Sequence, residues 1–452
     1  MPENKYVFIY GAGISGCGIA EVLFNKGQRV ILFNDEERTL PTIFLQALEA
    51  NGGRYICNKR GEELLPEVAL MIISPGISMK NSLILQALRC GIEVIGEVEA
   101  AMRFYQGKLI AITGTNGKTT TTTLVGEMMK SLPTKSAVGG NIGLALSVEA
   151  RELKAQDWLI AELSSFQLES VISLKPNIAA ILNITPDHLD RHGSMDEYIK
   201  AKSNIFLQQN QEDYLLLNYD DKAVAALQEK AQGTVCFFSR QQALKQGIFI
   251  EDGKFIIAWQ GVRQVVCGVK EMKLFGAHNE ENALAAIGCA FFAGVKQEAI
   301  SHVLTTFAGV EHRIEFITTI NGVAYYNDSK ATNPDSTIKA LEAFAGHIIL
   351  IAGGRDKHTD LTRMMQLVAQ QTDALILLGE AKERFLAAAL AADVQNVYEV
   401  ETMDEAVLLA YKIAQAQQVV LLSPACSSFD MFDNFPHRGK YFKQLVYNLV
   451  KA

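Results

Sequence analysis

The run Leu109-Ile-Ala-Ile-Thr-Gly-Thr-Asn-Gly-Lys-Thr-Thr sets a lysine and two hydroxyls directly behind a glycine turn. An apolar strand that enters such a turn and opens into a helix is built to hold phosphate. Backbone N–H groups and the positive helix end face the anion. Gly114, Thr115, Asn116 and Gly117 form the cradle, Lys118 neutralises β/γ-phosphate charge, and Thr119, followed by Thr120, offers a hydroxyl to Mg²⁺. The loop is a shortened variant, because Ile112 stands where the usual motif has its first glycine. The bland alternative is a glycine turn without ligand, which the preceding strand disfavours.

A second turn, Gly11-Ala-Gly-Ile-Ser-Gly, follows the run Tyr6–Tyr10 and precedes a helical pattern over 18–26. Asp35 ends the next strand, about where an acid would meet a ribose in a dinucleotide fold. The fingerprint is weak on its own and predicts a bound diphosphate without saying which one.

Downstream, Glu162 ends an apolar strand in Ala161-Glu-Leu-Ser-Ser-Phe-Gln-Leu, and a strand over 178–182 runs into Asn183-Ile-Thr-Pro-Asp-His-Leu-Asp-Arg-His. Carboxyl ends of strands are where open α/β sheets bind ligands. Glu162 and His188 are therefore candidate ligands for a divalent cation beside ATP phosphates, with Asn183, Asp187, Asp190 and His192 crowding the same loop. Lys202, on a helix expected over 195–209, reads from its position alone as a solvated surface lysine.

Elements of one kind must carry these loops. Short apolar runs at 6–10, 109–112, 179–182, 348–352, 374–378 and 419–422 alternate with glycine turns and helical patterns. This implies α/β architecture with mostly parallel sheets covered on both faces. With 452 residues, more than one core is expected. The strand–glycine–helix units restart near 97 and 310, giving three domains: 1–96 (Rossmann-like), 97–309 (P-loop-type ATPase) and 310–452 (Rossmann-like).

Composition excludes several classes. Hydrophobic residues make up 49% and charged residues 20%, as in a globular enzyme rather than a disordered chain. The net charge of −8 argues against a nucleic-acid surface. Seven dispersed cysteines give neither a disulfide framework nor a zinc cluster. No apolar stretch reaches the roughly 18 residues of a membrane span. The expectation is a cytoplasmic enzyme acting as a monomer.

Taken together, Gly114-Thr-Asn-Gly-Lys-Thr, Glu162 with Leu-Ser-Ser-Phe-Gln-Leu, Asp187-His-Leu-Asp190, His278-Asn-x-x-Asn282, Glu311-His-Arg313, Asn327-Asp-Ser-Lys-Ala-Thr-Asn333 and the tail 422–435 resemble the Mur ligases of peptidoglycan synthesis. The resemblance spans essentially the whole chain. It implies ATP- and Mg²⁺-dependent ligation of an amino acid through an acyl phosphate, and three of the runs point to the branch that joins D-glutamate to UDP-N-acetylmuramoyl-L-alanine. It further implies that Ile14, Ser15, Ser74 and Gly76 hold the UDP diphosphate, that residues about Asp35 meet the uracil, and that Asn141 touches the muramoyl or alanyl part. Asn279, Asn282, Arg313 and Asp328 would serve the nucleotide, and Lys330, Thr332, Lys357, Ser428 and Phe435 the amino-acid substrate. Lys202 changes its meaning: the matching lysine in this family is carbamylated and serves as ligand to a second Mg²⁺.

Simpler roles exist for the C-terminal motifs. Asn279 and Asn282 could cap a helix, Arg313 could pair with Glu311 or Glu315, and Ser427–Phe432 could be core packing with a helix cap. Rival functions are another ligase of the superfamily, a nicotinamide-dependent oxidoreductase resting on the Gly11 turn, and a P-loop motor or switch.

Overall fold

The computed structural model describes residues 5–57, 60–274, 276–356 and 358–451. Lys357 and the side chain of Asp190 therefore lie outside the described residues. Among those described, the strands form three sheets. The first contains β1 (Tyr6–Tyr10), β2 (Val30–Asn34), β3 (Arg54–Cys57), β4 (Val68–Ile73) and β5 (Glu93–Gly96), in the order β3-β2-β1-β4-β5, all parallel. Every residue of β1 is buried, as a strand covered by helices on both faces must be. The strand order reverses between β1 and β4, so a crevice opens beyond their carboxyl ends.

The second sheet comprises β6 (Lys108–Thr113), β7 (Ser136–Gly140), β8 (Trp158–Glu162), β9 (Ile178–Ile181), β10 (Tyr214–Asn218), β11 (Thr234–Ser239), β12 (Gly247–Glu251), β13 (Lys254–Trp259) and β14 (Val262–Gly268). Their order is β14-β13-β12-β11-β10-β9-β6-β8-β7. From β12 to β7 every neighbouring pair is parallel, whereas β12, β13 and β14 form an antiparallel meander. The third sheet holds β15 (Glu315–Ile320), β16 (Val323–Asn327), β17 (Ile348–Gly353), β18 (Thr372–Leu378), β19 (Val397–Glu399) and β20 (Val419–Leu422), ordered β15-β16-β20-β17-β18-β19. Only β15 runs antiparallel there. Both antiparallel departures arise at two-residue turns. Asp252-Gly253, Gln260-Gly261 and Asn321-Gly322 all have positive φ at both positions, the backbone that matches strand twist.

By contact the chain divides into two compact units, Met1–Met272 with Glu280–Thr306, and Lys273–Asn279 with Phe307–Ala452. The first two sheets share the first unit. The helix Glu97–Phe104, which leaves β5, buries two carboxylates that bind the second layer. Glu97 accepts from the Ser147 N–H at 2.8 Å, and Glu99 accepts from the Ile172 and Ser173 N–H groups at 2.9 and 3.0 Å.

The helix Ala277–Phe292 lies so close to β10 that a Cβ built on Gly288 would stand 2.0 Å from Leu216 Cδ2. A Gly288→Ala change gains about 0.5–1 kcal/mol of helix propensity. Overpacking a well-filled core costs about 1–3 kcal/mol. The clash should prevail, and urea denaturation is expected to show net destabilisation; an unchanged or raised midpoint would contradict this packing.

Candidate functional site

Four adjacent parallel strands deliver the chemistry. The carboxyl ends of β9, β6, β8 and β7 lead into the segments beginning at Leu182, Gly114, Leu163 and Asn141. Ile112 of β6 pairs with both Glu162 and Ala180, so the loops start at one level. Asn183 then locks two of them together: its Oδ1 accepts from the Asn116 N–H at 2.8 Å and its Nδ2 donates to the Asn116 carbonyl at 3.1 Å. Thr115 completes the lock, donating its own N–H to the Asn183 carbonyl at 2.9 Å. Asn183 thus serves loop geometry.

Gly117 adopts φ +85° at the head of the helix Lys118–Met129, where a side chain would strike Asn282 Oδ1 at 2.1 Å. Asn282 therefore sits on the phosphate loop. It is not a helix cap, since its helix begins at Ala277. The Lys118 ammonium donates to the carbonyls of Gly114 and Thr115 at 2.9 and 2.8 Å. Thr119 and Thr120 are buried behind it.

Lys202 is 1% exposed, which ends the surface-lysine reading. Its helix is Met195–Ser203, shorter than the sequence pattern suggested. Its amine donates to the same Gly114 carbonyl at 2.7 Å and lies over the Tyr198 ring. Burial first, and repulsion from Lys118 second, push its pKa well below that of an ordinary lysine. Glu162 is 1% exposed. Its Oε1 accepts from Asn141 Nδ2 at 2.8 Å, while its Oε2 is buried with no hydrogen-bond partner among the described residues. A buried carboxylate oxygen left without a donor is what a metal ligand looks like before its ion. His188 takes φ +54° and packs on Phe166 at 4.7 Å between ring centroids. A cavity of about 200 Å³ is lined by Thr115, Lys118, Asn141, Asp187, His188 and Lys202, among others. His192 does not line it; it meets Ser165 Oγ at 3.0 Å and Glu169 at 3.1 Å.

A second cavity, about 580 Å³, lies over the Gly11 turn and shares Pro75, Gly76 and Asn141 with the first. Gly11, Gly13 and Gly16 occupy the first, third and sixth places of the dinucleotide pattern, a stricter match than the weak fingerprint taken from sequence. A Cβ on Gly16 would lie 1.8 Å from the Gly11 carbonyl oxygen. Ile14, Ser15, Ser74 and Gly76 all line this groove, and Ile14 is 77% exposed there. Asp35 does not line it; both its oxygens accept from the Tyr10 hydroxyl, at 2.9 and 2.7 Å. Asn34 and Arg38 line it instead. Arg38 was missed in the sequence, although an arginine four residues past a strand end facing a diphosphate turn is a legible signal.

In the second unit, Asp328, Lys330 and Thr332 follow β16, and Ser428 follows β20, its neighbour in the sheet. Asp328 is buried. Desolvation raises its pKa to about 7, opposed by the Ser423 hydroxyl and the charge of Arg313. Glu311 and Glu315 are ion-paired with Lys443. Lys330 lies over the Phe435 ring, 5.5 Å from its centroid, and Ser329 Oγ donates to the Phe435 carbonyl at 2.9 Å. Asn279, third in its helix, belongs to this unit and also lies inside the helix rather than at its cap.

Three family models match in order: the Mur ligase MurD-like N-terminal domain over residues 5–96, the Mur ligase middle domain over 112–290 and the Mur ligase glutamate ligase domain over 312–426. The chain is 41% identical to the UDP-N-acetylmuramoylalanine–D-glutamate ligases of Pelotomaculum thermopropionicum and Caldanaerobacter subterraneus subsp. tengcongensis, each over 449 residues and 99% of both chains. Its fold resembles that of a pseudomurein peptide ligase type C from Methanothermus fervidus, with a TM-score of 0.62 at 18% identity, covering 99% of this chain and 100% of that one. The UDP-N-acetylmuramate-alanine ligase MurC of Thermotoga maritima gives a TM-score of 0.60 at 19% identity, covering 98% and 99%.

Removing the Lys118 ammonium should leave the fold unchanged and lower ATP-dependent turnover by about 10²-fold or more, the usual loss for one preorganised charge-stabilising group. Lys118→Ala is compared with the parent by phosphate release and by thermal melting; near-normal turnover would remove the loop from the nucleotide site.

Proposed function

The chain belongs to the Mur ligase family, and from that premise we propose that it is the ATP-dependent ligase joining D-glutamate to UDP-N-acetylmuramoyl-L-alanine in peptidoglycan precursor synthesis. The observation that carries this reading is the meeting of two cavities at Pro75, Gly76 and Asn141, one over a diphosphate turn and one over a phosphate loop. A nucleotide-linked substrate held over the Gly11 turn would extend its far end to Lys118. A hydride-transfer enzyme would need the cavity over the Gly11 turn and leave the one over the phosphate loop without a purpose.

In this reading residues 1–96 take the UDP substrate, 97–309 take ATP, and 310–452 take the amino acid. The phosphate loop and Asn282 hold the ATP phosphates, and Asn279, Arg313 and Asp328 keep the nucleotide role that the family resemblance implies for them. Ile14, Ser15, Ser74, Gly76 and Asn141 hold the UDP-linked substrate, with Asn34 and Arg38 rather than the Asp35 carboxylate facing its nucleoside end. Lys330, Thr332, Ser428 and Phe435, together with Lys357, hold D-glutamate. Bound ATP with Mg²⁺ supplies the phosphoryl group and neutralises its charge. Thr119, Glu162 and His188 are suited to hold the metal, and the donorless Glu162 oxygen supports that fit.

The protein's own contribution is alignment and charge. Lys118 draws charge from the phosphoryl group as the muramoyl-alanyl carboxylate attacks it in line; the new O–P bond forms, the P–O bond to ADP breaks, and an acyl phosphate and ADP result. The neutral amine of D-glutamate then attacks the acyl carbon. The C–N bond forms, the C–O bond to phosphate breaks, and the amine proton passes to solvent or to the departing phosphate. The enzyme acts as a cytoplasmic monomer on small-molecule substrates, without nucleic acid.

Lys202 enters as a carbamate. An ammonium would repel Mg²⁺, whereas reaction of the neutral amine with CO₂ gives an anionic oxygen ligand for a second ion. Its depressed pKa supplies the neutral amine that this reaction needs. Lys202→Ala should lose most activity and regain part of it with added acetate, whereas Lys202→Arg should stay inactive because its charge cannot be converted. Full activity in Lys202→Ala would refute the carbamate.

The decisive assay follows phosphate release with ATP, UDP-N-acetylmuramoyl-L-alanine and a panel of D- and L-amino acids. Turnover should require both the UDP substrate and D-glutamate, with L-glutamate far poorer. Equal rates with L-glutamate or L-lysine would overturn the D-glutamate assignment and leave the ligase class standing.

A further inference from the structure

Arg438 is 2% exposed and lies in the first turn of the helix Phe435–Lys451. A guanidinium so deeply buried normally meets a carboxylate, because desolvating a charge is costly unless it is paired. Here all its hydrogen bonds go to neutral oxygens. Nε donates to Ser329 Oγ at 2.9 Å, Nη2 to the carbonyls of Ser329 and Cys426 at 2.8 and 3.0 Å, and Nη1 to the Ser427 carbonyl at 3.2 Å. Among the described residues no carboxylate oxygen lies within 4.0 Å of it. Asp328 and Asp430 influence it only through space, and Asp430 instead accepts from the Glu380 N–H. Burial lowers its pKa to about 10, so the cation persists at neutral pH.

Its partners are placed with purpose. Ser329 stands between Asp328 and Lys330, Ser427 directly precedes Ser428, and the Ser329 hydroxyl that receives Arg438 donates onward to the Phe435 carbonyl. One planar fork thereby fixes the loop after β16, the loop after β20 and the start of the last helix. Gly354, at the end of β17, comes within reach as well: a Cβ there would lie 3.1 Å from Nη1.

We infer that Arg438 is a positioning and specificity residue of the amino-acid pocket: it holds the three segments that carry Lys330, Ser428 and Phe435, and its charge, which no described carboxylate contacts, selects an amino acid with an anionic side chain. The inference rests on the proposed role of those segments in binding D-glutamate. Arg438 does not touch the substrate. Its effect comes through the loops and through Coulomb attraction in a medium that screens poorly.

The test uses the full-length enzyme and steady-state phosphate release, varying each substrate in turn. Arg438→Met should raise the KM for D-glutamate by about tenfold or more, as expected for loss of a charge-assisted network. The KM for the UDP substrate should stay within about twofold, because no segment that Arg438 holds is assigned to that ligand, whereas the KM for ATP can move with Asp328, the neighbour of Ser329. The preference for D-glutamate over D-glutamine, measured as a ratio of kcat/KM values, should fall by about tenfold. Arg438→Lys keeps a charge but loses the fork, so it should raise the KM for D-glutamate while keeping most of that preference; it also serves if the methionine variant fails to fold. A preference unchanged in Arg438→Met, or a KM for the UDP substrate rising together with that for D-glutamate, would overturn the inference. Should Arg438→Lys alone be soluble, an unchanged KM for D-glutamate would do the same. Ser428→Ala separates the premise from the inference: if it leaves the KM for D-glutamate unaltered, the pocket assignment itself fails.

Discussion

Parallel pairing places β6 between β8 and β9 with all three carboxyl ends on one edge, and β7 extends that edge beyond β8. A parallel strand cannot return by a tight turn, so each strand must be followed by a crossover. The four departures available at this edge became the phosphate loop, the Glu162 segment, the His188 segment and the Asn141 turn. Slipping β8 by one residue would exchange its faces and turn the Glu162 side chain to the other side of the sheet. The register is therefore as much a part of the site as the side chains, and the Asn183 bridge to Asn116 carries it from the sheet into the loops.

At the centre of the site two amines share one acceptor, the Gly114 carbonyl. Two cations so close repel each other, and the deeper one gives way: Lys202 tends to the neutral form. The chain as a whole carries −8, so these lysines form a local exception to its charge. Glu162 supplies a carboxylate in the same strand-end layer, with one oxygen that no donor meets among the described residues. Two lysines around one carbonyl, beside a buried carboxylate, set opposite charges close together at the ends of these strands.

How much of this could be read from residues alone depends on whether the signal is local. Strand β1 was legible to the residue, since a five-residue apolar run before a glycine turn has few other readings. The helix after it begins at Ile14 rather than Gly18, because glycines that look like breakers are needed for close approach. The antiparallel meander β12–β14 went unread although its Asp252-Gly253 and Gln260-Gly261 turns were in plain view as hairpin signals. In the site, Lys118 was evident because strand, turn and helix surround it in sequence. Lys202 needed the family resemblance, for a lysine on a short helix looks solvated until the sheet that buries it is in place. Arg438 escaped notice for the same reason: its partners lie up to 109 residues away. Tyr10 capturing Asp35 was also invisible, being a contact between two strand ends.

The two cavities that meet at Asn141 also bear on how small molecules can be made to compete at this enzyme. Separate fragments, one seated over the Gly11 turn and one against Lys118, would each lose rigid-body freedom independently on binding. A single molecule crossing the shared wall loses it once, and its second half arrives at an effective concentration in the millimolar range for a short flexible tether. Such a tether must cross the wall that the two cavities share, Pro75, Gly76 and Asn141. Avidity is thus built into the shape of the cleft, independent of any individual contact.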